Sequence, residues 1–148
     1  MGSVIQFEVY GIPVAQGSKR AFNNRVVDAN STQLRPWRDS VTAMAMETKR
    51  RMDQETFLGP VRIDLTFTFP RPKYHYGTGR NAGKLKPTAP TFVTTKPDLD
   101  KLIRAVFDAL TVASIWRDDS QVVVEQSTKI YGDEPGVSVL VQGILDDD

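Results

Sequence analysis

The stretch that decides the fold and the chemistry of this chain runs from Lys96 to Val123 and reads KPDLDKLIRAVFDALTVASIWRDDSQVV. Its five aspartates are Asp98, Asp100, Asp108, Asp118 and Asp119. Like-charged carboxylates that a fold holds together raise each other's pKa, so such crowding is usually tolerated because a cation lies between them. The stretch therefore predicts a site for a metal ion with oxygen ligands.

A helix is predicted inside this stretch, from about Asp100 to Thr111, with one apolar stripe toward the core. The residues of that stripe are Leu99, Ile103, Val106 and Leu110. Asp98 and Asp100 lie where the helix begins, a position at which an aspartate also serves as an ordinary N-cap. Asp118 and Asp119 are likewise compatible with a simple polar turn. The spacing alone leaves metal ligation and capping both open.

Around this stretch the apolar pattern predicts a small mixed α+β fold, a sheet flanked by helices. Alternating residues indicate strands at Val4–Tyr10 and Val61–Phe69, and helical spacing indicates a helix from Ser31 to Met52. The buried stripe expected on that helix is Leu34, Trp37, Val41, Met44 and Thr48, with Pro36 in its first turn. Two further strands, Gln121–Tyr131 and Val137–Ile144, are predicted to form a terminal hairpin.

The composition fits one domain over residues 1–148, ending in an acidic tail at 146–148. There is no cysteine, which excludes disulfides and thiolate metal sites, so a metal must be held by oxygen ligands or by His75, the single histidine. No apolar run approaches the roughly 18 to 20 residues that span a bilayer. We therefore expect a cytoplasmic protein with no membrane partner.

The charges are distributed unevenly, although the net charge is only +1. Two segments, at about residues 70–96 and 11–27, contain cations and no acid. The cations of these segments are Arg71, Lys73, Arg80, Lys84, Lys86 and Lys96 in the first, and Lys19, Arg20 and Arg25 in the second. Such segments suit a polyanion whose phosphates are gripped by cations, although each alone is also compatible with a solvated loop. The longer segment is interpreted as a flexible substrate-binding loop.

Three motifs with intact spacing resemble one known family. They are Pro-Asp-Leu-Asp-x-Leu at 97–102, Phe-Asp-Ala-Leu at 107–110 and Trp-x-Asp-Asp-Ser-Gln-Val-Val at 116–123. The chain resembles the RusA-type Holliday-junction resolvases, endodeoxyribonucleases often carried by phages and prophages. The resemblance implies a homodimer that uses Mg²⁺, with Mn²⁺ able to substitute and no small-molecule cofactor, to cut two opposed strands of a four-way DNA junction. It also implies the cytoplasm of a bacterial cell or of a phage-infected host.

Carried over residue by residue, the resemblance makes Asp98, Asp100 and Asp119 the essential carboxylates and metal ligands, with Asp118 beside them. Arg104 stands where the family has a lysine. It keeps a cation that can stabilise charge on a phosphate, but an always-protonated guanidinium is no proton donor. Lys101 replaces a frequent asparagine and adds a cation. The candidate DNA-binding residues, taken from the two basic segments together with Lys101, are Lys19, Arg20, Arg71, Lys73, Arg80, Lys84, Lys86, Lys96 and Lys101.

Other interpretations remain open at the level of sequence. A non-catalytic DNA-binding protein would use the aspartates only as caps, and a less selective flap, branch or RNA nuclease would share the metal chemistry. His75 suits phosphate contact or loop packing better than catalysis. Phe92 either stacks on exposed bases or packs within its loop. The candidates for a dimer interface, each also compatible with the core, are Phe57, Leu58, Val112 and Ile115.

Overall fold

The computed structural model describes residues 2–17, 19–22, 25–28 and 31–145. The acidic tail predicted at 146–148 lies outside these residues. The long elements are β1 (Val4–Tyr10), β2 (Lys19–Phe22), β3 (Arg25–Asp28), α1 (Ser31–Arg51), β4 (Val61–Phe69), α2 (Leu99–Val112), β5 (Val122–Tyr131) and β6 (Gly136–Gly143). The α+β class predicted from the sequence is confirmed. Within these residues no helix is both long and apolar enough to cross a membrane.

Four strands form the main sheet in the order β1-β6-β4-β5. β6 pairs antiparallel with both β1 and β4, whereas β4 and β5 run parallel. Every second residue of β4 is buried, as its alternating sequence predicted. Leu65 of β4 lies opposite Val139 of β6, which in turn lies opposite Phe7 of β1. All three are buried, so the core rests on one face of the sheet.

The predicted terminal hairpin is wrong, because β4 lies between β5 and β6. The two strands do run in opposite directions, but they pair with opposite edges of β4. The connection at residues 132–135 therefore passes the end of β4, where the amide of Gly132 donates to the carbonyl of Phe69 at 3.0 Å. A Cβ on Gly132 would lie 2.7 Å from the Thr68 methyl carbon, so the close passage favours glycine.

The two long helices pack together beside the sheet, and the Thr42 hydroxyl of α1 donates to the Ala109 carbonyl of α2 at 3.3 Å. On α1 the buried residues are Leu34, Trp37, Val41, Ala45 and Thr48. The stripe is thus confirmed except at Met44, which is exposed while Ala45 is buried. Pro36 lies inside the helix, beyond the predicted first turn.

On α2 the buried stripe is rotated slightly around the helix axis relative to the predicted stripe. Val106 and Leu110 are fully buried, whereas Leu99 and Ile103 are only partly buried. The additional buried residues are Leu102, Ala105 and Ala109. The small side chains of Ala105 and Ala109 allow α1 to pack closely against α2. The buried face therefore includes alanines, which a search for large apolar residues does not identify.

The antiparallel pair β2-β3 begins within the basic segment at 11–27 and ends at Asp28, and it forms a separate two-stranded sheet. The sequence predicted no strand there. Lys19 and Arg20 lie in β2. Their predicted contacts with DNA concern side chains outside the described part of the chain.

Replacing Leu65 with alanine should lower the free energy of unfolding by about 2 to 5 kcal/mol, because it leaves a cavity under the centre of the sheet. Leu145→Ala is the matched control, since its side chain is exposed, and it should change stability by less than about 0.5 kcal/mol. Urea denaturation followed by circular dichroism measures both. Equal losses for the two variants would contradict the placement of β4.

Candidate active site

Asp98 and Asp100 lie at the N-terminal end of α2, directly after a cis peptide bond between Lys96 and Pro97. Asp98 is the N-cap residue, and its carbonyl accepts a hydrogen bond from the Leu102 amide at 3.1 Å. Its carboxylate makes no capping hydrogen bond and lies 3.7 Å from the Lys101 ammonium, with half of the side chain exposed. Asp100 is exposed in the first turn. The capping interpretation therefore does not account for these two carboxylates.

Lys129 of β5 fastens this end of the helix to the sheet. Its ammonium donates to the carbonyl oxygens of Thr95 at 2.8 Å and Pro97 at 2.7 Å. The sequence analysis did not identify Lys129, because a lysine at the end of a strand gives no local signal of a contact some thirty residues away. The two bonds fix the backbone immediately before Asp98.

Asp118 has the capping role that the sequence left open. Its carboxylate accepts a hydrogen bond from the Ser120 amide at 2.8 Å, at the start of a 3-10 turn, Asp119–Gln121. Gln121 completes a capping box by accepting from the Asp118 amide at 3.0 Å, and its amide group donates to the Phe57 and Gly59 carbonyls. The hydrogen bonds from Ser120 hold the pKa of Asp118 below its usual value.

Asp119 has the opposite electrostatics. Partial burial and the negative charges of Asp118 and Asp108 raise the pKa of the Asp119 carboxyl above its usual value. Asp108 belongs to α2 and lies in the quoted stretch, but residue spacing alone does not place it near Asp119. The repulsion among these carboxylates would be relieved by a bound cation.

The described residues do not assemble one complete metal centre. Oxygen ligands of this kind suit a hard divalent ion, yet no group of three or more acidic or histidine side chains in the described ranges lies close enough to hold one. Along α2, Asp100 and Asp108 are separated by about 12 Å. The four predicted ligands come from two places in the sequence, Asp98 with Asp100 and Asp118 with Asp119, and among the described residues no three of them lie close enough to share an ion.

Arg104 lies on α2 between Asp100 and Asp108. It follows Asp100 by one helical turn and precedes Asp108 by one, and its side chain is exposed. A guanidinium at this position can contact a phosphate that lies near Asp100.

Most of the predicted DNA-binding cations in the segment at 70–96 are exposed. They are Lys73, Arg80, Lys84, Lys86 and Lys96. Arg71 is half-buried and donates to the Pro90 carbonyl at 2.7 Å, and Lys101 is half-buried beside Asp98. His75 is buried, and its burial, with the charges of Arg71 and Lys86, lowers its pKa. The loop-packing interpretation of His75 is therefore confirmed.

Of the predicted interface candidates, Phe57 and Ile115 are buried in the core, whereas Leu58 and Val112 are exposed. Phe92 is more than half exposed, although its backbone forms a bridge with Ile130 of β5.

Comparison with known proteins adds two findings. The family model of endodeoxyribonuclease RusA matches residues 11–142. The uncharacterized protein YqaN of Bacillus subtilis strain 168 is 35% identical over 146 residues, which cover 95% of this chain and 96% of that protein. The matched range contains both groups of aspartates and the strands that support them.

Substitutions at the two adjacent aspartates should change stability in opposite directions. Asp118→Ala removes the cap on Ser120 and should lower the free energy of unfolding. Asp119→Asn should instead stabilise the metal-free protein at neutral pH, because it removes a carboxylate whose ionisation disfavours the folded state.

The stabilising effect of Asp119→Asn should depend on pH. Its folded-state pKa is raised, so the penalty is fully present above that pKa and disappears below the unfolded value of about 3.9. The gain from Asp119→Asn, measured by urea denaturation in EDTA, should vanish over that range. A loss of stability at neutral pH would contradict the proposed repulsion.

Lys129→Met should lower the free energy of unfolding by about 1 to 3 kcal/mol, because two carbonyl groups lose a charged donor. It should also speed hydrogen exchange at the Leu102 amide, which closes the first turn of α2. Lys73→Met, at an exposed lysine, is the matched control and should change neither quantity. Unchanged exchange in Lys129→Met would show that the ammonium does not hold the helix start.

Proposed function

The chain belongs to the RusA endodeoxyribonuclease family, and on that premise we propose that it is a Mg²⁺-dependent nuclease that resolves four-way DNA junctions as a homodimer. Members of this family are endodeoxyribonucleases that resolve Holliday junctions. The observation that carries the proposal is the match over residues 11–142, which includes Asp98, Asp100, Asp118 and Asp119. Mn²⁺ is expected to substitute for Mg²⁺.

Exposed charges support the choice of a phosphodiester substrate. Asp100 and Arg104 lie on one exposed face of α2, and exposed lysines are distributed along the segment at 70–96. Cations of this kind position a DNA backbone, while carboxylates hold the metal that supplies charge stabilisation and an activated water. In the proposed role, Arg104 binds the phosphate being cut and offsets its developing negative charge.

Two features support a homodimer. First, no three of the candidate carboxylates come close enough within the described residues of one chain to hold an ion. Asp98 and Asp100 of one protomer and Asp119 of its partner would together complete a three-carboxylate set. Second, exposed apolar side chains lie beside the turn that carries Asp119. Val123 follows that turn in β5, and Leu58 lies between Phe57 and Gly59, whose carbonyls accept from Gln121. A two-fold dimer also suits a junction, whose opposed strands are related by symmetry.

Asp100→Asn should abolish cleavage of a synthetic four-way junction in Mg²⁺ while leaving junction binding intact. Removing a residue that only supports a metal ligand typically lowers metal affinity or activity by roughly 10- to 100-fold. Removing a ligand itself should therefore lower the cleavage rate by more than about 100-fold. Asp133→Asn, at an exposed acid in the turn before β6, is the control and should cut normally.

The cut positions should be mapped on all four strands, with Mg²⁺, Mn²⁺ or EDTA and beside a linear duplex. Paired symmetric cuts only with metal are expected. Equal cutting of the duplex would indicate a less selective nuclease, and binding without cleavage would favour a non-catalytic DNA-binding protein. Mixing Asp100→Asn with Asp119→Asn protomers should restore part of the activity, and no recovery in verified mixed dimers would contradict a shared site.

A further inference from the structure

A cleft of about 380 Å³ lies between the start of the segment at 70–96 and the ends of β4 and β5. Its volume is within the range of pockets that hold small organic molecules, about 300 to 1,000 Å³. The residues that determine its chemistry are Ile12, Arg71, Tyr74, Val93, Lys96 and Tyr131. The metal chemistry does not account for this cavity, and the predicted phosphate contacts of Arg71 and Lys96 account for only its charged residues.

The lining combines flat apolar surface with positive charge. Tyr74 is 68% exposed and Ile12 is 59% exposed, although both are large apolar side chains. Arg71 and Lys96 contribute cations, and none of the described residues that line the cleft is acidic. A ligand that suits these walls has a planar ring to stack on an aromatic side chain and a negative charge nearby.

The aromatic wall is held in place from behind. The buried His75 ring contacts Tyr74 edge to face at 4.9 Å and Tyr131 at 4.7 Å, measured between ring centroids. The Arg71 guanidinium lies 5.4 Å from the centre of the Tyr131 ring and 3.3 Å from His75 Nδ1. Because arginine only donates, Nδ1 accepts and the imidazole is neutral. The cleft is therefore formed before any ligand arrives.

The cleft also adjoins the candidate active site. Thr95 and Lys96 line it, and they directly precede the Pro97-Asp98 pair. The Thr95 carbonyl is one of the two acceptors of the Lys129 ammonium. A DNA strand whose phosphate lies at Asp98 and Asp100 would thus place a neighbouring nucleotide at the mouth of the cleft.

We propose that this cleft binds one unpaired nucleobase of branched DNA next to the strand to be cut, with Tyr74 stacking on the base and Arg71 and Lys96 facing its phosphate. The proposal rests on the proposed function, because it takes branched DNA as the substrate. A paired base within a duplex is already stacked on its neighbours and cannot enter. The cleft therefore makes the protein select branch points at which a base is free.

The test uses the full-length Asp100→Asn protein, so that binding is measured without cleavage. The probes are a four-way junction with one unpaired 2-aminopurine at the branch point, the same junction fully paired, and a linear duplex. Binding should change the 2-aminopurine fluorescence only in the first probe. Adding Tyr74→Ala should abolish that change and weaken binding of that probe by at least about fivefold, while the fully paired junction is bound as before.

Tyr74→Phe keeps the ring and should restore both signals, which separates stacking from loss of folding. Tyr10→Ala removes another exposed tyrosine, one that donates to Glu8 rather than lining the cleft, and should have no effect. Normal junction binding with no fluorescence change and no effect of Tyr74→Ala would overturn the base site alone. Failure to bind any branched DNA would overturn both the base site and the proposed function.

Discussion

The parallel pairing of β4 with β5 is the constraint on which the rest of the structure depends. Two parallel strands cannot be joined by a tight turn, so the chain must return from the end of β4 to the start of β5 along a long crossover. That crossover, residues 70–121, contains the basic segment, α2 and both groups of aspartates. Lys129 of β5 donates hydrogen bonds to carbonyls in the first half of this crossover. Gln121, at the end of the crossover, donates to the Phe57 and Gly59 carbonyls. The sheet thereby positions a site to which it contributes few residues.

The sequence predicted the elements well because their signals are local. The alternation of β4 and the helical spacing of α2 depend on neighbours a few residues away, and both bounds agree closely with the structure. The terminal hairpin was wrongly predicted because the alternation of apolar residues identifies a strand but does not show which strand lies beside it in the sheet. The roles of Lys129 and Gln121 were missed for the same reason, since each bonds to carbonyls far away in the chain. The candidate aspartates could be named, but whether they lie close enough to share an ion depends on where the helix ends.

The adjacent carboxylates of Asp118 and Asp119 have different electrostatic surroundings. Hydrogen bonds lower the pKa of Asp118, whereas partial burial and neighbouring negative charges raise the pKa of Asp119. Asp118 is satisfied by the Ser120 amide and fixes the turn, and this lets Asp119 be held close to other negative charges. A protein that needed these residues only as caps would gain nothing from the second carboxylate. A cation or a positively charged partner group beside Asp119 would relieve this repulsion.

β6, one of the two interior strands of the main sheet, follows both of its neighbours in the sequence. During synthesis β1 and β4 emerge first, with no partner for the edges that will face each other across β6. At about 5 to 20 residues per second, the ribosome needs roughly 4 to 15 s to extend the chain from residue 69 to residue 143. Throughout that interval the nascent chain exposes two open strand edges of the kind that chaperones shield, and its sheet is incomplete. The sheet that supports the candidate active site is therefore completed only late in translation.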